Sequence, residues 1–246
     1  MFKQVSKQLL CLLCAVICTC ALSSPCMAAD ISSIEDGLSK DYTVGQGTYA
    51  ALLNPSAANW FSNGKVSLTA GMLARCGFSC TLLLPTFVTK LNAAMNNYGI
   101  NTKVKARHFL AQVRAETANG YGIIEGGYKA GDGVYNGSAL RSYSPFGGAG
   151  FLHLTHDYAY EEFGKLMGDA RIYDPPKYAM QHVAIAYPDK SAGWFWKEKK
   201  KIDSSVNWNS DSDTIGKKVT GLVFGDETDW TKRRKTYYET ICKVLL

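Results

Sequence analysis

Two carboxylates, Glu116 and Glu125, stand nine positions apart on either side of an Asn119-Gly120 break. Glu116 ends a helical pattern in which Phe109, Leu110 and Val113 share one apolar face, and Ala, Gln and Arg fill the turns between. Glu125 follows among glycines at 120, 122, 126 and 127. Along a continued helix, nine residues would separate the two groups by about 13.5 Å. The glycines let the chain turn back, so that Glu125 can face Glu116 across a shorter gap. Two carboxyl groups about 6.5–9.5 Å apart suit an inverting hydrolysis of a glycosidic bond, one as acid and the other as base to a water. The alternative is a pair of solvated surface glutamates.

The elements that must position this pair are mostly helices. Ser67 to Arg75 is expected to be a short helix capped by Ser67 or Thr69, and Leu82 to Tyr98 a longer one stopped by Gly99. Asp157 to Met167, Tyr178 to Ala186, Asp211 to Val219 and Trp230 to Leu246 carry further helical patterns. A glycine-rich loop from Gly126 to Gly150 separates the carboxylates from the second half, and a loop of that length is usually functional. Strand signals are few and short. The class read from these patterns is mainly α, in one domain, 67–246, preceded by an irregular arm, 30–66.

The first 29 residues read as a signal peptide. Lys3 and Lys7 precede the apolar run Leu9–Leu22, and small residues end at Ala28 and Ala29. The run is short for a spanning helix, so no stable membrane insertion is expected after cleavage. Lys3 and Lys7 leave with it and no acid does, which takes the net charge from +6 to +4. That mild excess suits a polyanionic surface and is too weak for a nucleic-acid stripe. The expected compartment is periplasmic or extracellular, and the expected state is a monomer. Cys76, Cys80 and Cys242 remain, and their proximity in sequence favours a Cys76–Cys80 disulfide with Cys242 free.

LPTFVTKLNAAMNNYGINT (84–102), RHFLAQVRAET (107–117), GAGFLHLTHDYAYEEFG (148–164), YDPP (173–176), SAGWFWK (191–197) and RRKTYYETICKVL (233–245) stand in this order. Together they resemble glycoside hydrolase family 19, which includes chitinases and phage endolysins with a lysozyme-like, mostly helical fold. The resemblance implies Glu116 as general acid, Glu125 as general base and Thr155 as the hydroxyl that helps hold the attacking water. It extends glycan contact to His153, Tyr158 and Trp194, implies a polysaccharide substrate and requires no cofactor and no metal. The nine-residue spacing is that of the bacterial and phage branch, which favours peptidoglycan over chitin. The chain departs from the family pattern at Ala115, Ala149, His153, Ala159 and Thr220. Those losses keep a non-catalytic glycan binder open as an alternative.

Other groupings are weighed on their chemistry. His153, His156 and Asp157 have a spacing that could hold a metal, but at an aromatic-rich helix start a structural role is the simpler reading. Trp194 and Trp196 could stack on sugars or fill the core. Cys80 before an apolar helix is a placement that lowers a thiol pKa, as in a cell-wall cysteine peptidase, while Cys76 close by invites a disulfide instead.

Overall fold

Thr69 caps the first of the described helices. Its hydroxyl accepts from the Met72 N–H and starts α1, Ala70–Arg75, as the sequence predicts. The computed structural model describes residues 60–125, 134–135, 139–140, 145–221 and 229–246. The expected signal peptide and nearly all of the expected arm lie outside these residues. The arm's last residues form a two-strand ribbon, β1 (Phe61–Ser62) and β2 (Lys65–Val66), with Trp60 buried and its indole N–H donating to the Leu246 carbonyl at 3.1 Å.

A one-turn 3-10 helix, Cys80–Leu83, leads into α2, Pro85–Asn97, where proline takes the first helical turn. Gly99, at φ +68°, follows its end as the sequence predicts. The next helix, α3 (Lys103–Glu116), starts four residues before the pattern that first marks it. Thr102 is its cap, accepting from Lys105 N–H at 3.3 Å. His108 to Val113 of α3 are wholly buried, the deepest stretch of helix in the fold.

The second half contains α4 (Asp157–Met167), α5 (Pro176–Ala186), α6 (Pro188–Trp194), α7 (Ser212–Thr220) and α8 (Asp229–Val244). The bounds of α4 are those expected. Those of α5 are not: the helix starts two residues before the expected Tyr178, with Pro176 in its first turn, where no N–H is needed from it. A π-turn, Phe195–Lys199, carries the chain out of α6. Asp169 ties α4 to its neighbours, accepting from Arg171, from the Tyr187 hydroxyl at 2.9 Å and facing His182 Nε2 at 2.9 Å. The paired Arg171 guanidinium leads the contacts that hold the Asp169 carboxyl below the usual carboxylate range.

Two apolar cores result. One gathers α1, α2, α3, Trp196, Ile215 and Ile241, with Trp196 edge-on to Phe109 at 5.3 Å. The other gathers α4, α5 and Trp194. The turn 149–154 is shared between them: Phe151 and Leu152 enter the first core, Ala149 and Leu154 the second. The fold is mainly α and lysozyme-like, and that seam is where its candidate chemistry lies.

The expected Cys76–Cys80 disulfide is a correction. Cys76 follows α1 as its C-cap and is a free, fully buried thiol. Burial pushes its pKa up to about 12. Cys242 is also free. The Cys80 side chain, and with it the cysteine-peptidase reading, lies outside the described residues.

Candidate active site

Glu116 is the last residue of α3, so its side chain leaves the helix at the edge of the core, 15% exposed. The chain turns there through Ala118 and Asn119, both at positive φ, and Gly120. Asn119 is held in this turn by Arg114, whose Nε donates to its side-chain oxygen at 2.9 Å. A non-glycine residue with positive φ is uncommon, and Asn is among the types that tolerate it. The turn sends residues 123–125 back past the helix end.

There the chain meets the strip Gly148–Leu154. Glu125 N–H donates to the Gly148 carbonyl at 2.8 Å, and Gly148 N–H donates back to Glu125 Oε2 at 3.1 Å. One peptide unit on each side of Gly148 thus fixes both the backbone and the carboxylate of Glu125. Gly150 N–H adds a bond to Ile123 O at 2.8 Å, and Ala149 and Leu154 exchange two more. Residues 148–150 therefore pair antiparallel with 123–125 on one side and, through Ala149, with Leu154 on the other. Periodicity alone could not have found this ribbon, because each arm is two or three residues long.

His153 turns at the end of this ribbon with φ +48°. Its Nδ1 lies 3.9 Å from Glu116 Oε2. Its ring also covers Gly148: a Cβ at that position would sit 2.9 Å from the His153 Cβ. Its carbonyl accepts from Thr155 Oγ1 at 2.7 Å. The strip accordingly brings Glu116, Glu125, His153 and Thr155 together around one turn.

Tyr158 begins α4 beside this turn, 58% exposed, with its ring stacked on His156 at 5.4 Å and 11°. Lys199 covers it at 5.4 Å and pairs with Glu162. Tyr158 is thus largely exposed, with His156 stacked on its ring and the Lys199 ammonium over it. Trp194 is 3% exposed and packs on Phe163 at 5.4 Å. Its expected contact with sugar gives way to the core role, because α6 turns its ring inward against α4.

Two residues escaped the sequence reading. Arg234 of α8 is 2% exposed, donates from Nη2 to Glu116 Oε1 at 2.5 Å and from Nη1 to Gln112 Oε1. The guanidinium thus bridges two side chains of α3, with one N–H to the Glu116 carboxylate and one to the Gln112 amide oxygen. Gln112 had a signal, since it lies one turn before Glu116 on the same face. Arg234 had none, standing in a run of Lys and Arg whose other members are solvated.

No family model matches the chain, and no curated protein sequence does. Among solved structures, it is similar to the crystal structure of chitinase C from Streptomyces griseus HUT6037, with a TM-score of 0.50 and 16% identity over 72% of this chain and 76% of that one. At that identity the likeness speaks for the fold alone: a mainly-α arrangement like that of glycoside hydrolase family 19.

Proposed function

We propose that this protein is an exported glycan hydrolase that cleaves a β-1,4 bond of peptidoglycan in a single inverting displacement by water. The observation that carries the reading is the Gly148–Thr155 strip, which grips the Glu125 carboxylate, faces Glu116 through His153 and anchors the Thr155 hydroxyl.

Each group then has a role. Glu116, steadied by Arg234, protonates the departing glycosidic oxygen. Glu125 removes a proton from the attacking water. Thr155 spends its own hydroxyl proton on the His153 carbonyl, so toward a water it can only accept. A water held by Thr155 and Glu125 directs both its hydrogens at the protein and leaves a lone pair for the sugar carbon. Tyr158, 58% exposed, is an aromatic side chain that a pyranose can reach at the surface, with His156 and Lys199 already lying against its ring.

Peptidoglycan is favoured by the nine-residue carboxylate spacing and by the departures from the family pattern at Ala149 and Ala159. Chitin is the second reading, and the likeness to a chitinase speaks for it. Export and action outside the cytoplasm follow from the reading of residues 1–29 as a signal peptide; the exported form then begins near Ala29 or Asp30, which N-terminal sequencing checks.

The test is digestion of purified peptidoglycan and of chitin oligomers by the protein and by its Glu116→Gln variant, with products identified by mass spectrometry. Muropeptides released only by the unaltered protein are expected. Chitin oligomers cut without muropeptides would move the substrate to chitin. No product from either polymer would overturn hydrolysis in favour of glycan binding.

A further inference from the structure

We infer that His153 is a positioning residue that couples the two carboxylates, its ring wedged between Glu116 and the Gly148 peptide that holds Glu125. The inference rests on the acid–base reading above and deepens it. The resemblance marks this position as a sugar contact; the geometry gives it a different task.

Three contacts converge on this one side chain and its carbonyl. Nδ1 faces Glu116 Oε2 at 3.9 Å, a distance that is too long for a direct hydrogen bond and suits a charge contact or a bridging water. The Cβ, Cγ and Nδ1 atoms lie at 2.9, 3.0 and 3.2 Å from where a Cβ on residue 148 would be. The ring therefore rests directly on the Gly148 backbone, whose N–H and C=O are the two groups bonded to Glu125. The third contact is the His153 carbonyl, which takes the Thr155 hydroxyl.

The ring's other nitrogen supports the same task. Nε2 is buried and has no hydrogen-bond partner among the described residues, which leaves Nδ1 as the ring nitrogen that faces a charged group, Glu116. The backbone tells a matching story. His153 holds φ +48°, a conformation that costs a non-glycine residue and persists where surrounding contacts over-determine it. The bond from His153 N–H to Gly150 O at 3.3 Å and the paired Ala149–Leu154 bonds supply that determination.

The consequence is a gap of set width. Glu116 comes from a helix buried in one core and Glu125 from a ribbon anchored in the other, so the separation between them depends on what fills the seam. The imidazole fills it. Without the ring, the Gly148 peptide is free to move toward Glu116 and carry Glu125 with it. A displacement of about 1 Å is enough to cost an enzyme up to about 100-fold.

The coupling is steric, so exchanging the two volumes tests it. Gly148→Ala places a methyl where the ring lies, His153→Gly removes the ring and suits the positive φ, and the double variant trades one for the other. All three are compared as folded full chains, with thermal melting as the check on folding. On whichever glycan the unaltered protein cleaves, each single variant should lose about 10-fold or more in kcat with KM within about two-fold. The double variant should be faster than Gly148→Ala alone. A rise in KM with kcat kept in His153→Gly would make the ring a sugar contact and overturn the inference, as would a double variant slower than either single one.

A second measurement needs no activity and separates this inference from the reading it rests on. In NMR spectra, Glu116→Gln should move the Gly148 and Glu125 amide signals, and in a His153→Gly background the same substitution should leave them in place. If no glycan is cleaved but this pattern appears, the acid–base reading fails and the coupling stands. If the two amides ignore Glu116→Gln while His153 is present, the coupling is wrong whatever the activity.

Discussion

Arg234 and Glu116, 118 residues apart in the chain, meet at 2.5 Å between Nη2 and Oε1. The contact joins the last helix to the end of the central one, with Arg234 almost wholly buried and also bound to Gln112. Arg234→Ala leaves a Gln112 oxygen and a Glu116 oxygen without their partner. Breaking a buried pair from one side costs about 3–5 kcal/mol, and urea denaturation should show a loss in that range. Arg234→Lys keeps the charge without the fork and should fall between the two. A loss under about 1 kcal/mol for Arg234→Ala would mean that the pair does not hold the helices together.

Gly216, in the middle of α7, lies under the Arg234 stem. A Cβ there would stand 2.8 Å from Arg234 Cδ. On an open helix face, glycine to alanine stabilises by roughly 0.5–1 kcal/mol. Here the expected sign is reversed: Gly216→Ala should lower the melting temperature and reduce glycan hydrolysis, because it pushes Arg234 away from Glu116. A variant that melts higher and hydrolyses normally would contradict the packing described.

His108 gives the fold a dependence on pH. Its ring is buried in α3 and stacked on Tyr238 at 4.0 Å, and burial pulls its pKa down from 6.5 to about 4. The unfolded chain binds a proton between those values and the folded one does not, so stability rises with pH across that window. Full stability from this group is present above about 6.5, and about 3 kcal/mol is lost by the time pH has fallen through about 4. His108→Phe keeps an aromatic ring against Tyr238 and cannot titrate. Denaturation at pH 7 and pH 4.5 should show a smaller loss for the variant than for the unaltered protein; equal losses would remove His108 as the cause.

Cys76 should be inert in the folded state. A thiol with its pKa near 12 holds almost no thiolate at neutral pH, and only thiolate reacts. Iodoacetamide should therefore leave Cys76 unmodified until denaturant is added, and peptide mapping should return it as a free thiol. Rapid labelling without denaturant, or a crosslinked peptide joining Cys76 to Cys80, would contradict its placement.

Much of the helical fold was legible because caps and stops are local. Thr69, Gly99 and the Asp157–Met167 pattern announce their elements without help from distant residues. The start of α5 at Pro176 was less legible, because a proline can stop a helix or open one, and only its neighbours decide which. Glu116, Glu125 and Thr155 are singled out by spacing and resemblance; in the structure Glu125 bonds Gly148, Glu116 lies 3.9 Å from His153, and Thr155 bonds the His153 carbonyl. Arg234 was hidden because its partner lies across the fold, and nothing local separates a buried arginine from Arg233 and Lys235 beside it, of which Lys235 is exposed. The resemblance makes His153 a sugar contact. Its positive φ and its seat on Gly148 are set by tertiary contacts that no pattern in the sequence carries.

The central claim is that Glu116 acts as acid and Glu125 as base to a water, with no covalent sugar intermediate. The most direct measurement is NMR of the reducing end at the start of digestion of a β-linked glycan. Inversion predicts that the α-anomer appears first and the β-anomer only by later mutarotation. Glu125→Gln should slow that signal by about 10²–10⁴-fold, the usual contribution of a general base. An initial β-anomer, or an anhydro-sugar in place of a reducing end, would contradict the account and remove Glu125 from the role of base.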